Sequence, residues 1–205
     1  MNSENVFRGA LLAVGSASIV PRFCHRWRAS RSGPPGESEL RNVSESKVRL
    51  LLMGISGLGT DLLSVAWAIN PSWIAWSSLP LPLWLRWAGV ALGLGAVWLG
   101  CLAHRTLGTS YTATLKTLED HGLVVQGVYR WVRHPMDSSF FASLASNVLL
   151  IASWLIGVLG LVYSLLIIQR VSDEERMLLE SFGEDYRLYV RYTGCFLPRL
   201  FRCPP

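Results

Sequence analysis

Arg130, Arg133 and His134 fall within five residues of one another, and Pro135 follows at once. The chain then enters its longest apolar run, residues 138–168. Two guanidiniums and an imidazole can together hold an anion. The proline keeps His134 out of regular helix, so the backbone groups there must find partners elsewhere, a bound ligand among them. Beyond the run stand Arg170 and Glu174, four residues apart and hence on one helical face. A carboxylate beside a guanidinium can grip a zwitterion by both ends. The plainer readings are a basic loop touching lipid headgroups and a surface ion pair worth about 0.3 kcal/mol.

For these residues to meet, the apolar run must bring its own ends together. Its 31 residues would make a helix of about 46 Å, too long for one crossing of a core of about 30 Å. Arg130 and Arg133 precede it and Arg170 and Arg176 follow it. Basic loops favour the cytoplasmic side, so both ends should face the same way. That predicts a hairpin of two helices turning near residues 153–157. Three further spans are expected at residues 6–20, 50–69 and 83–103, bounded by Asn70-Pro71 and by Pro80-Leu81-Pro82. Residues 22–49 carry seven Lys and Arg, whereas 70–82 carry none. The pattern therefore predicts an all-α integral membrane protein of about five transmembrane helices, N-terminus outside and C-terminus cytoplasmic. Residues 1–104 would supply the first three spans. Residues 105–205 would supply the loop, the hairpin and a C-terminal helix, with a pocket between loop and helix on the cytoplasmic face.

The composition supports a membrane reading. Hydrophobic residues make up 51% and charged residues 16%, with nine tryptophans and a mean hydropathy of +0.33, below the charge content of soluble proteins. The net charge of +5 needs no nucleic acid to explain it, since cytoplasmic loops are basic and no nucleic-acid motif accompanies it. Cys24, Cys101, Cys195 and Cys203 share no metal-binding spacing and read as free thiols with no metal role. Gly54, Gly57 and Gly59 lie inside an expected span, where small residues serve helix packing rather than phosphate binding. Asp61 in the same span is costly and a candidate for a role. Residues 10–20, lacking a basic leader and a cleavage site, read as a retained helix. Asp137-Ser138-Ser139 reads as a helix N-cap, and Gly183 as a helix stop.

Four blocks carry a family likeness: His121-Gly-Leu-Val124, Gly127 to Pro135, Arg170-x-x-x-Glu-Glu175 with Leu178, and Phe182-Gly-Glu-Asp-Tyr186-x-x-Tyr189 through Pro198. In order and spacing they resemble the isoprenylcysteine carboxyl methyltransferase family and its relatives, including phospholipid methyltransferases, over about residues 107–198. The resemblance implies S-adenosylmethionine-dependent methyl transfer without a metal. It implies that His121, Leu123, Val124, Tyr129, His134, Pro135, Met136, Asp137 and Glu174 surround the cofactor. Arg170 would face a lipophilic or small acceptor, a carboxylate, amine or thiol, reached from membrane lipid. One position departs from the family: Asp137 stands where a tyrosine is common. Two other classes fit parts of the pattern. Membrane sterol reductases share an Arg-His-Pro stretch but use NADPH, whose 2′-phosphate would disfavour Glu174 and Glu175. A non-catalytic scaffold is the other.

Overall fold

The computed structural model describes residues 3–30, 47–107 and 125–199. Among them the chain is helical but for turns and two isolated bridge pairs. Helix α1 covers Ser3–Ser30, α2 Lys47–Ile69, α3 Leu83–Leu107, α4 Pro135–Ile151 and α5 Trp154–Tyr192. Short 3-10 turns occupy Pro71–Ser77 and Gly127–Arg130.

Local chemistry sets the boundaries. Asn70 ends α2 and caps the next turn, its side chain accepting from the Ser72 amide at 3.0 Å, with Pro71 in the first position. Proline at 80 and 82 then delays α3 until residue 83. The break in the long apolar run falls at Ala152, left-handed at φ 55°, and at Ser153, which caps α5. Ser153 also shares a 2.7 Å hydrogen bond with Ser77, and the Leu79 amide donates to the Ala152 carbonyl at 2.6 Å. The turn comes at the near edge of the stretch expected for it because those two contacts fix it there. Gly183, at φ 53°, kinks α5 where a stop was expected.

The bundle is inside-out by the standards of soluble proteins. Leu58 is 65% exposed and Leu62 68%, while Ser56, Thr60, Ser139 and Ser146 are buried. Among the described residues three helices are long and apolar enough to cross a membrane: Val48–Ile69, Leu83–Thr106 and Trp154–Tyr192. The last runs 39 residues with a kink at Gly183, apolar up to Ile168 and charged beyond it. α4, at 17 residues, and α1 are not among those three.

Small residues let the helices approach. An added Cβ at Gly89 would lie 2.8 Å from the Leu149 side chain, and one at Gly93 2.6 Å from Ser146 Oγ. Ser146 donates to the Gly89 carbonyl and Ser139 to the Ala96 carbonyl, each at 2.8 Å. Thus α3 and α4 pack backbone to backbone. Gly57 and Gly59 face Tyr163 and Leu159 of α5, the packing expected of them, whereas Gly54 meets open space. Asp61 lies on the exposed side of α2.

Two ends of the bundle can be told apart. At one, the starts of α1, α3 and α5 meet the ends of α2 and α4, and Trp73, Trp76, Trp84, Trp87 and Trp154 are half exposed or more nearly so. Such rings favour the headgroup level. At the other, the start of α4 meets the polar half of α5.

Candidate active site

The Arg133-His134-Pro135 stretch is held by the chain's own C-terminal segment. The Arg133 amide donates to the Gly194 carbonyl at 2.9 Å and the His134 amide to that of Cys195 at 3.0 Å. Gly194 donates back to the Trp131 carbonyl at 3.1 Å, and Ser138 Oγ donates to the Phe196 carbonyl at 2.7 Å. The backbone groups near His134 were expected to seek a ligand. Arg133 and His134 instead spend their amides on residues 194 and 195, 61 positions downstream, which sequence spacing could not reveal. On the other flank Gly127, at φ 57°, sits against Thr106, where a Cβ would lie 2.6 Å from the threonine hydroxyl. Tyr189 donates its hydroxyl to the Tyr129 carbonyl at 2.6 Å.

His134 itself caps α4, with Pro135 in the first position and Asp137 in the first turn. The Asp137-Ser138-Ser139 cap is therefore displaced by three residues. Proline is well placed at a helix start, where no amide partner is required, and it defines the boundary more strongly than the serines do.

Arg133 also departs from expectation. Its charge was expected to hold an anion. The side chain is buried, and Nε donates to Glu175 Oε1 at 2.7 Å while Nη1 donates to the Thr193 carbonyl at 2.7 Å. The guanidinium is already committed. His134 lies beside this pair, Nε2 3.4 Å from Glu175 Oε1 but without the alignment of a hydrogen bond. The neighbouring imidazole and then Arg133 hold the Glu175 carboxyl down to about 2, against the opposing effect of burial. The hydroxyl of Tyr186, also buried, has no hydrogen-bond partner. Burial pushes the Cys195 thiol up to about 11, with Glu175 adding to the rise.

On the far side of the imidazole, Asp137 Oδ2 lies 3.7 Å from His134 Nδ1. Burial raises the Asp137 pKa more than His134 lowers it; Glu174 adds to the rise and Arg170 opposes it. Asp137, His134, Arg170 and Glu174 thus share one electrostatic neighbourhood at the histidine end, where Met136 is half-buried and Pro135 buried. His121, Leu123 and Val124 lie outside the described residues. A cleft of about 370 Å³ opens beside Glu175, lined from both arms of α5 that meet at Gly183. Arg176, Tyr186 and Arg187 line it, and Asp137, His134, Arg170 and Glu174 do not.

Sequence reasoning stopped at Glu174 and passed over Glu175, Tyr186 and Cys195 as site residues. One helical step separates the two glutamates by 100°, so one faces Asp137 and the other Arg133. The paired acids following paired bases were the available signal. His134, Glu175 and Cys195 also place one potential ligand atom each within 4.8 Å of one another, a group that could hold a metal ion. A metal there would have to displace both the Arg133 guanidinium and the thiol proton.

Lipid-facing helices that carry a buried charge cluster at one end define a multi-pass membrane protein with a polar site at one face. Residues 90–180 match the model of the Isoprenylcysteine carboxyl methyltransferase (ICMT) family. It is 36% identical over 80 residues to a Protein-S-isoprenylcysteine O-methyltransferase of Tribolium castaneum, covering 38% of this chain and 28% of that protein. To the Saccharomyces cerevisiae protein of the same name it is 34% identical over 104 residues, 47% and 42% of the two chains. To a Methanethiol S-methyltransferase of Mycobacterium tuberculosis it is 31% identical over 83 residues, 40% and 33% of the two. The chain spans less than half the length of each of these relatives.

Proposed function

We propose that the protein is an integral membrane methyltransferase that uses S-adenosylmethionine at the histidine end of the bundle. In this reading α1 and α4 also cross the bilayer, α4 and α5 form a transmembrane hairpin, and the histidine end is cytoplasmic. Residues 1–104 anchor the catalytic region, residues 105–205. The observation that carries the proposal is the convergence of Asp137, His134, Arg170 and Glu174 within the segment that matches the family.

The donor set suits such a cofactor. Its amino group and sulfonium call for carboxylates, which Glu174 and Asp137 supply, and its carboxylate calls for a cation or free donors. Tyr129 and Met136 supply aromatic and thioether walls, and His121, Leu123 and Val124 would close the pocket from the loop. The cofactor, when bound, supplies an electrophilic methyl group. The chain's task is then alignment and exclusion of water, which need no metal. Glu175, locked to Arg133, holds the imidazole of His134 in place between two carboxylates. Arg170, exposed beyond the membrane half of α5, orients an acceptor that is lipophilic or small.

The test is equilibrium binding of S-adenosylmethionine to the detergent-purified protein. Saturable binding that Glu174→Ala weakens at least tenfold supports the reading. Absence of saturable binding, or indifference to the substitution, overturns it.

A further inference from the structure

Among the described residues Asp137 is a carboxylate without a hydrogen bond, in a half-buried place. Its side chain is 29% exposed, and its nearest ionic neighbour, His134 Nδ1, stands 3.7 Å away. That is outside hydrogen-bond range. Glu174 repels it, and Arg170 and His134 attract it. Across the imidazole, Cys195 feels its charge as well. Glu175, by contrast, is bonded to a guanidinium and stays ionised to about pH 2, so it has no appetite for a proton.

The balance of charge bears on the acceptor. Arg133 is consumed by Glu175, which leaves Arg170 facing Asp137 and Glu174. Among the described residues, a carboxylate acceptor would be a third anion beside the Arg170 guanidinium and two carboxylates. A nucleophile that brings its own proton meets the opposite situation, because the site contains an underbonded base. We infer that Asp137 is the general base of this site and that the acceptor is a protic nucleophile, carrying S–H or N–H, rather than a carboxylate. This rests on the methyltransferase reading and names the substrate class of the same site. The raised pKa of Asp137 agrees with the role, since a carboxyl nearer neutrality is a stronger base.

The step balances. The acceptor's S–H or N–H bond breaks and its proton forms an O–H bond with the Asp137 carboxylate. The electron pair left on sulfur or nitrogen forms the new bond to the methyl carbon. The pair that formerly held the methyl remains on the donor's sulfonium sulfur, which becomes a neutral thioether.

The experiment uses the full chain in detergent, labelled S-adenosylmethionine, and three acceptors of matched length: octanethiol, octylamine and octanoate. Transfer to octanethiol or octylamine, with octanoate at least tenfold slower, is expected. Asp137→Asn should lower kcat for the protic acceptor by about 100-fold or more with little change in KM, the range for loss of a general base. Asp137→Glu should recover to within tenfold of the parent, which separates proton transfer from a folding defect. A readout without turnover accompanies these: calorimetric titration of octanoate into the donor-free protein. Asp137→Asn should tighten octanoate about tenfold and leave octanethiol unchanged. Preferred methylation of octanoate, full activity of Asp137→Asn, or bound donor with no transfer to any of the three overturns the inference while leaving the methyltransferase reading to its own binding test. Failure of the donor to bind at all removes both.

Discussion

Both ends of the bundle bury an arginine against a glutamate, and they do so differently. At the tryptophan end Arg86 pairs both oxygens of Glu4, donates twice to the Leu150 carbonyl at 2.8 and 3.1 Å, and lies 4.1 Å over the Phe7 ring. The guanidinium there closes the C-terminal end of α4 and ties α1 to α3, and Arg8 likewise caps α2 through the Ala68 and Ile69 carbonyls. At the histidine end Arg133 and Glu175 pair just as closely, but around them His134 Nε2 and the Tyr186 hydroxyl have no hydrogen-bond partner and Asp137 is held only at a distance. The same pair of side chains is structural where, among the described residues, no buried side-chain polar atom beside it lacks a partner. Where it leaves orphans, it frames a site. Buried polar groups without partners cost free energy, and a chain retains that cost where a ligand can repay it.

The contrast can be broken from either side. The largest effect should come from Arg133→Ala, which leaves the half-buried Glu175 and the Thr193 carbonyl without their buried partner. We expect a loss of about 3–4 kcal/mol in stability, the usual consequence of removing one partner of a buried pair, read from denaturation in detergent. The double change Arg133→Met with Glu175→Leu should recover most of that stability and none of the S-adenosylmethionine binding. Arg86→Met should cost less, about 2 kcal/mol, since Glu4 is 43% exposed and can turn to water. It should leave S-adenosylmethionine affinity within about twofold of the parent, because among the described residues the affected end holds no buried orphan. If Arg86→Met abolished binding, the division between a structural and a functional end would be wrong. Gly93→Ala should fall between the two ends, costing about 1–3 kcal/mol by pushing α4 off α3, the range for overpacking.

What could be read in the chain followed the range of the interaction. Helix limits at Asn70-Pro71, at the prolines before residue 83, and at Gly183 are local matters of dihedral preference, and the structure places breaks at each. The turn in the apolar run was legible as a length problem, and Ala152 and Ser153 resolve it. The meeting of His134 with the Arg170 helix was legible too, because basic residues at both ends of one run had to share a face. The use of Arg133 was not. Its partners, Glu175 and the Thr193 carbonyl, lie 42 and 60 residues away. No local rule separates a guanidinium that awaits an anion from one that has already found a carboxylate. The cap of α4 was missed for a smaller reason: serines accept amide bonds well, but a proline in the first turn needs none.

The smallest and cleanest test is one of pH, and it acts on the site end alone. Glu175 has its pKa depressed from 4.5 to about 2 by His134 and Arg133. Its folded state therefore binds a proton less readily than its unfolded state does. The stability this contributes is present in full above about pH 4.5 and is lost as the pH falls towards 2. Asp137 has the opposite sign, raised by burial, so the stability it contributes is present in acid and lost as the pH climbs through its folded value. In Glu175→Gln the fall in Tm between pH 4.5 and 2 should be shallower than in the parent. In Arg86→Met, whose site end is intact, that fall should keep the parent's slope at a lower Tm throughout. A Glu175→Gln curve that merely shifted down without flattening would mean that the carboxylate is not held by the imidazole and guanidinium beside it. The comparison between the two ends would then rest on the orphaned atoms alone.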